Sequence, residues 1–96
     1  MLTQLEGNWV KGTFIFFYNH GSIEGRKTNS YSVMTLENIK LGQIKWFSNW
    51  RKYCFYPQQD TVYEEVCLKE IAEFIQQETY NYKKNREKRN ANTINT

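Results

Sequence analysis

The stretch with the most chemical content holds Lys45, Phe47, Trp50, Lys52 and Tyr56, where aromatic rings alternate with ammonium groups. Such rings stack on nucleobases while neighbouring lysines neutralise phosphates, and the same surface can hold a nucleotide or anchor a protein partner. Arg51 lies among them, and a second basic cluster follows at Lys83, Lys84, Arg86, Lys88 and Arg89. Clustered bases on a flexible segment attract nucleic acid by releasing its counterions. Together these are the candidate binding residues, for a nucleic acid or for a partner protein.

Residues suited to bond-making chemistry are scarce. The single histidine, His20, falls in a predicted loop with no cysteine or carboxylate at ligand spacing, which supports neither a metal site nor a Cys-His pair. Glu64 and Glu65 are adjacent on a predicted helix and project about 100° apart, a poor arrangement for paired acid and base. Cys54 and Cys67 are too few for a disulfide framework and read as small buried apolar groups. Gly42 stands alone in a strand run, which marks a bulge or close packing rather than a phosphate loop. A non-enzymatic protein without metal or cofactor is expected.

The elements that must position these residues follow from periodicity. A chain of 96 residues, 40% hydrophobic and 17% aromatic, can bury one modest core, and so many rings favour a sheet. Residues 8–18 read as one strand closed by Asn19, His20, Gly21 and Ser22, and Tyr31, Val33 and Met34 suggest a short second one. Ile39–Phe47 and Trp50–Tyr56, stopped by Pro57, read as a hairpin about a two-residue Ser48-Asn49 turn. That turn pairs Phe47 with Trp50, Lys45 with Lys52 and Ile44 with Tyr53. One face then carries Ile44, Trp46, Tyr53 and Phe55 with Arg51 among them and looks like core; the other carries Lys45, Phe47, Trp50, Lys52, Cys54 and Tyr56.

Asp60 or Thr61 is a candidate cap for a following helix. At about 100° per residue, Cys67, Leu68, Ile71, Phe74, Ile75 and Tyr82 share one stripe, with Lys69, Glu70, Glu73 and Gln77 opposite. The expected fold is α+β: a small antiparallel sheet of three to four strands packed by one C-terminal amphipathic helix. Residues 1–82 form the single domain, with 1–33 its least patterned part, and 83–96 a basic, partly disordered tail.

The net charge of +3 is unevenly distributed: residues 83–96 hold five of the thirteen bases and one of the ten acids. Residues 38–59 contain Lys40, Lys45, Arg51 and Lys52 and no acid, whereas Asp60, Glu64, Glu65, Glu70, Glu73 and Glu78 follow with Lys69 alone. A basic hairpin thus precedes an acidic helix, whose early acids complement the helix dipole. No apolar run approaches the roughly 20 residues of a membrane-spanning helix. Residues 1–10 carry Glu6 and no base ahead of an apolar stretch, unlike a signal peptide, and a cytoplasmic location is expected.

Gly42, Ile44, Lys45, Trp46, Trp50, Arg51, Tyr53, Phe55 and Pro57, followed by Thr61, Cys67, Leu68, Ile71, Ala72, Phe74 and Ile75, resemble a group of short proteins found widely in bacteriophages and prophages. The N-terminal 33 residues and the basic tail depart from that pattern. The resemblance implies a phage-encoded accessory protein that binds and inhibits a host or defence complex, such as a CRISPR effector, in the host cytoplasm. The residues themselves support two other readings: a nucleic-acid-binding protein using the basic aromatic hairpin and tail, and a nucleotide-sequestering protein with a pocket formed by Trp46 or Trp50 with Arg51.

Overall fold

The computed structural model describes residues 2–22 and 26–94, with side chains described as far as Arg86. The described residues form six strands and one helix: β1 (Thr3–Gln4), β2 (Trp9–Lys11), β3 (Ile15–Ser22), β4 (Asn29–Thr35), β5 (Lys40–Phe47), β6 (Lys52–Pro57) and α1 (Glu65–Ile94). The strands pair antiparallel in sequence order, each with the next, and α1 packs across one face. The α+β class is as expected, but the sheet has six strands among the described residues rather than three to four.

The extra strands come from the N-terminal part. Residues 8–18 are not one strand: the chain reverses between Gly12 and Ile15, where the Gly12 N–H donates to the Ile15 carbonyl at 2.8 Å, and β2 then pairs with β3. No Asn-Gly or Asp-Gly marks that turn, so the alternating apolar run reads straight through it. The first residues therefore extend the sheet sideways instead of folding over it.

The β5–β6 hairpin also differs in register. Phe47 pairs with Lys52, Trp46 with Tyr53, Lys45 with Cys54 and Ile44 with Phe55, around a four-residue loop of Ser48 to Arg51. A two-residue turn of the favoured kind needs positive φ at both central positions, and neither serine nor asparagine is a glycine. The longer loop needs it once among these residues, at Arg51 (φ 54°), whose N–H donates to the Phe47 carbonyl at 2.9 Å. The register differs by two residues, an even number, so every strand side chain keeps its expected face. Ile44 and Tyr53 are buried, and Trp46 and Phe55 pack partly buried against them. Arg51 is the exception: it leaves the inner face for the exposed loop.

Gly42 sits next to the register shift between β4 and β5, and a Cβ there would lie 2.4 Å from the Tyr56 carbonyl oxygen and 2.7 Å from the Phe55 ring. Its role is close approach of two strands. At the free edge of the sheet, the Tyr53 N–H donates to Thr79 Oγ1 of α1 at 3.0 Å, and Pro57 has no N–H to offer.

The core joins Ile15, Phe17, Tyr31, Val33, Leu41, Ile44 and Tyr53 of the sheet to Cys67, Ile71 and Phe74 of α1. Phe17 and Phe74 stack in parallel at 4.2 Å, and Tyr31 meets Phe74 edge-on at 4.8 Å. The buried stripe is rotated from the one expected: Leu68 is 51% exposed, whereas Glu70 is only 2% exposed. The Glu70 carboxylate accepts from the Thr13 N–H at 2.9 Å and from the Thr13 hydroxyl at 3.1 Å. Gly12 makes room for it, since a Cβ there would fall 2.5 Å from Glu70 Oε1. A buried carboxylate is tolerated where donors satisfy it.

The helix cap is neither Asp60 nor Thr61. Asp60 turns the chain at φ 60°, and Thr61 Oγ1 bonds locally to the Gln58 carbonyl at 2.7 Å. Glu64 caps instead, accepting from the N–H groups of Val66 at 3.0 Å and Cys67 at 2.6 Å. The bond to the Val66 N–H, with those to Cys67, holds its carboxyl below the ordinary carboxylate value. Its stabilisation is complete above that ordinary value and disappears as pH falls through the lowered one. Thermal midpoints measured from neutral to acid pH are expected to fall less steeply for Glu64→Gln than for the natural protein; superimposable profiles would show that the cap contributes nothing.

The helix runs to Ile94, past residue 82, where the domain was expected to give way to the tail. Thirty residues span about 45 Å at about 1.5 Å each, in a molecule measuring 50 × 28 × 25 Å. Tyr82 makes the last described contact with the core, its ring 4.7 Å from Trp46, and Lys83 to Arg86 are exposed. No helix among the described residues is long and apolar enough to cross a membrane.

Candidate nucleic-acid interface

One helix covers one face of a six-stranded sheet, so the other face is built from every second residue of the strands. On β2 and β3 these are Trp9, Lys11, Phe16, Tyr18 and His20, with Trp9 opposite Tyr18 and Lys11 opposite Phe16. The Trp9 ring lies 4.7 Å from Tyr18 and 5.6 Å from Phe16, and Tyr18 meets the His20 ring at 5.0 Å. A continuous bank of rings results, half-buried except for the exposed His20.

A second bank stands on β5 and β6. Lys45 Nζ sits 4.6 Å above the Tyr56 ring, and Phe47 meets Trp50 edge-on at 4.9 Å. Between the banks lie Ser30, Ser32 and Gln43, with Ser32 opposite Tyr18 on one side and Gln43 on the other. With Met34, which lies between Phe16 and Lys40 in the same row, they floor a trough two strands wide, about 10 Å at the usual strand spacing, that is polar except at the methionine. His20 Nε2 lies 2.6 Å from Ser32 Oγ, which ties the histidine to the trough. His20 is thus part of β3 at a register shift, not a loop residue.

By register, Lys11, Lys40, Lys45 and Lys52 all belong to this face, and among the described residues no carboxylate does. Glu64, Glu65, Glu70, Glu73 and Glu78 all precede or lie on α1, behind the sheet. The strand residues of this face are thus basic and the helix behind them acidic, while Glu6, Glu37 and Asp60 sit in bends and turns.

Of the residues singled out by sequence, Lys45, Phe47, Lys52 and Tyr56 share the open face. Trp50 is 66% exposed at the loop, and Arg51 is exposed beside it. Lys83, Lys84 and Arg86 are exposed on α1, beyond its packed part, and the side chains of Lys88 and Arg89 lie outside those described. Sequence reasoning missed Lys11 and the ring bank of Trp9, Phe16, Tyr18 and His20. Reading residues 8–18 as one strand put Trp9 in phase with Ile15 and Phe17, which are core; the turn at Gly12 puts it in phase with Phe16 and Tyr18. Gly12 was the one available signal.

The back of the sheet holds the ionisable groups with displaced acidities. Burial, and then the hydrogen bond donated to Glu78, keep the Tyr31 hydroxyl protonated, and burial likewise raises Tyr53. Burial, followed by the bond to Glu64, pushes the Cys67 thiol up to about 11. Cys54 is half-buried in β6, its Sγ 3.8 Å from the Lys52 carbonyl. Among the described residues, no three His, Cys, Asp or Glu side chains converge as a metal site would require. A cleft beside Trp46 is lined by Arg26 and Lys45.

Comparison of the chain with known protein families, with curated proteins and with solved structures finds no match.

Proposed function

We propose that the protein binds single-stranded nucleic acid across the open face of its sheet, with the rings stacking bases and the lysines neutralising phosphates. The observation that carries this reading is the pairing of two aromatic banks with Lys11, Lys40, Lys45 and Lys52 on a face that has no carboxylate among the described residues. Stacking on rings tolerates any base, and lysines follow the strand without reading it, so affinity without strong sequence preference is the expected behaviour. Lys83, Lys84 and Arg86, exposed on the continuation of α1, add to the long-range attraction.

The test is fluorescence anisotropy of a labelled oligothymidylate over a salt series. Neutralisation of phosphates by the four face lysines predicts a slope of about −3 for log K against log salt. The double variant Trp9→Ala/Tyr18→Ala is expected to bind about 10- to 100-fold more weakly, since the two rings, 4.7 Å apart, form one platform and a stacked base contributes about 1–3 kcal/mol. Binding that ignores salt, or a double variant that binds as tightly as the natural protein, overturns the reading. If instead the purified protein ignores nucleic acid and retains a stoichiometric host complex after nuclease treatment, the face belongs to a protein partner, as the phage-protein resemblance suggests.

A further inference from the structure

At the end of the sheet near the β5–β6 loop, Arg26, Thr28, Asn29, Ser30, Lys45 and Trp46 enclose a cleft of about 60 Å³. One water needs about 10–15 Å³ of such space, so the cleft has room for a compact tetrahedral anion. Arginine, lysine, threonine, serine and asparagine line it with the tryptophan, and among the described residues no carboxylate does. Neither Arg26 nor Lys45 has an ion-pair partner among the described residues; Lys45 is held instead against the Tyr56 ring.

The walls are fixed before any ligand arrives. The Asn29 N–H donates to the Tyr53 hydroxyl at 3.0 Å, and Asn29 Nδ2 donates to the Tyr31 hydroxyl at 3.4 Å. The Trp46 ring is wedged between Tyr53 at 5.4 Å and Tyr82 at 4.7 Å. A dianion bound there is attracted by the positive charge of Arg26 and Lys45. Guanidinium in particular matches phosphate oxygens with two parallel hydrogen bonds.

We infer that this cleft binds a phosphate group, presented either at the end of a bound strand or by a free nucleotide. Ser30 and Lys45 are direct cross-strand partners that also belong to the open face, so the cleft is continuous with the proposed nucleic-acid track. Only the strand-borne source rests on the function proposed above.

The test has two arms, each run with the natural protein, Arg26→Ala and Arg26→Lys. In the first, adenosine 5′-monophosphate, inorganic phosphate and adenosine are titrated against tryptophan fluorescence and by calorimetry. Saturable binding of the two phosphates but not of adenosine is expected, weakened about tenfold by Arg26→Ala and partly restored by Arg26→Lys. In the second arm, a 5′-phosphorylated oligothymidylate is expected to bind about tenfold tighter than its 5′-hydroxyl form, a difference that Arg26→Ala abolishes. Monophosphate binding that depends on Arg26, with no affinity for either oligonucleotide, supports the cleft with a free nucleotide as its source while removing the nucleic-acid reading of the face. Equal affinity for the two oligonucleotides, with no binding of monophosphate or inorganic phosphate, overturns the cleft and leaves the face reading standing.

Discussion

Phe74→Ala is expected to destabilise the fold by about 3–5 kcal/mol, the usual cost of truncating a buried phenylalanine. Phe74 is 3% exposed, stacked on Phe17 at 4.2 Å and met edge-on by Tyr31 at 4.8 Å. It therefore joins α1 to both β3 and β4, and no other ring of the helix reaches Phe17 among the described contacts. Alanine leaves a void between three rings, and neighbouring strands held by ladder bonds on both sides cannot close it. For a domain whose total stability is about 5–15 kcal/mol, that loss takes a large share. Urea unfolding followed by circular dichroism measures it. A loss under about 1 kcal/mol would fall well below the range for a buried ring and would mean that α1 does not dock here.

Glu70→Ala is expected to cost about 1.5–3 kcal/mol, the range for hydrogen bonds to a charged group. Its carboxylate closes the Gly12–Ile15 turn from the helix side by accepting from the Thr13 N–H and hydroxyl. Gly12→Ala attacks the same contact from the other partner, because its Cβ would overlap the carboxylate. The two substitutions are therefore not additive: Gly12→Ala should be harmful in the natural protein and much milder once Glu70 is alanine. A double-mutant cycle in urea shows whether this holds. Strictly additive losses would mean that the turn and the helix are stabilised separately. The hydrogen bonds also link the fold to the proposed site, since this turn brings Trp9 alongside Phe16 and Tyr18.

Much of the hairpin was readable because strand alternation survives an even error. The loop is two residues longer than expected, yet Ile44 and Tyr53 share one face and Lys45 and Tyr56 the other, as the alternation predicts, since a shift of two restores the same parity. The N-terminal part was misread for the opposite reason. One undetected reversal between Gly12 and Ile15 inverted the phase of Trp9 relative to Phe17, and half of the aromatic face went unnoticed. Helix phasing failed more subtly. An apolar Leu68 and a charged Glu70 lie near opposite margins of the stripe, and hydrophobicity alone assigns the leucine to the core; the structure buries the glutamate because Thr13 supplies donors and Gly12 supplies space.

The sequence by itself determined the α+β order, the hairpin faces, the presence of the helix and the separation of basic strands from an acidic helix. These depend on local periodicity and on charge along the chain, which need no partner to be read. Only the tertiary structure decided the number of strands, the cap at Glu64, the burial of Glu70, and which sheet face is left without a helix. Apart from the cap, which Glu64 makes locally, each of those depends on a contact between residues distant in sequence or on a turn that carries no strong residue signal. With six strands side by side and one helix behind them, the Trp9 bank and the Lys45–Tyr56 bank share a single surface.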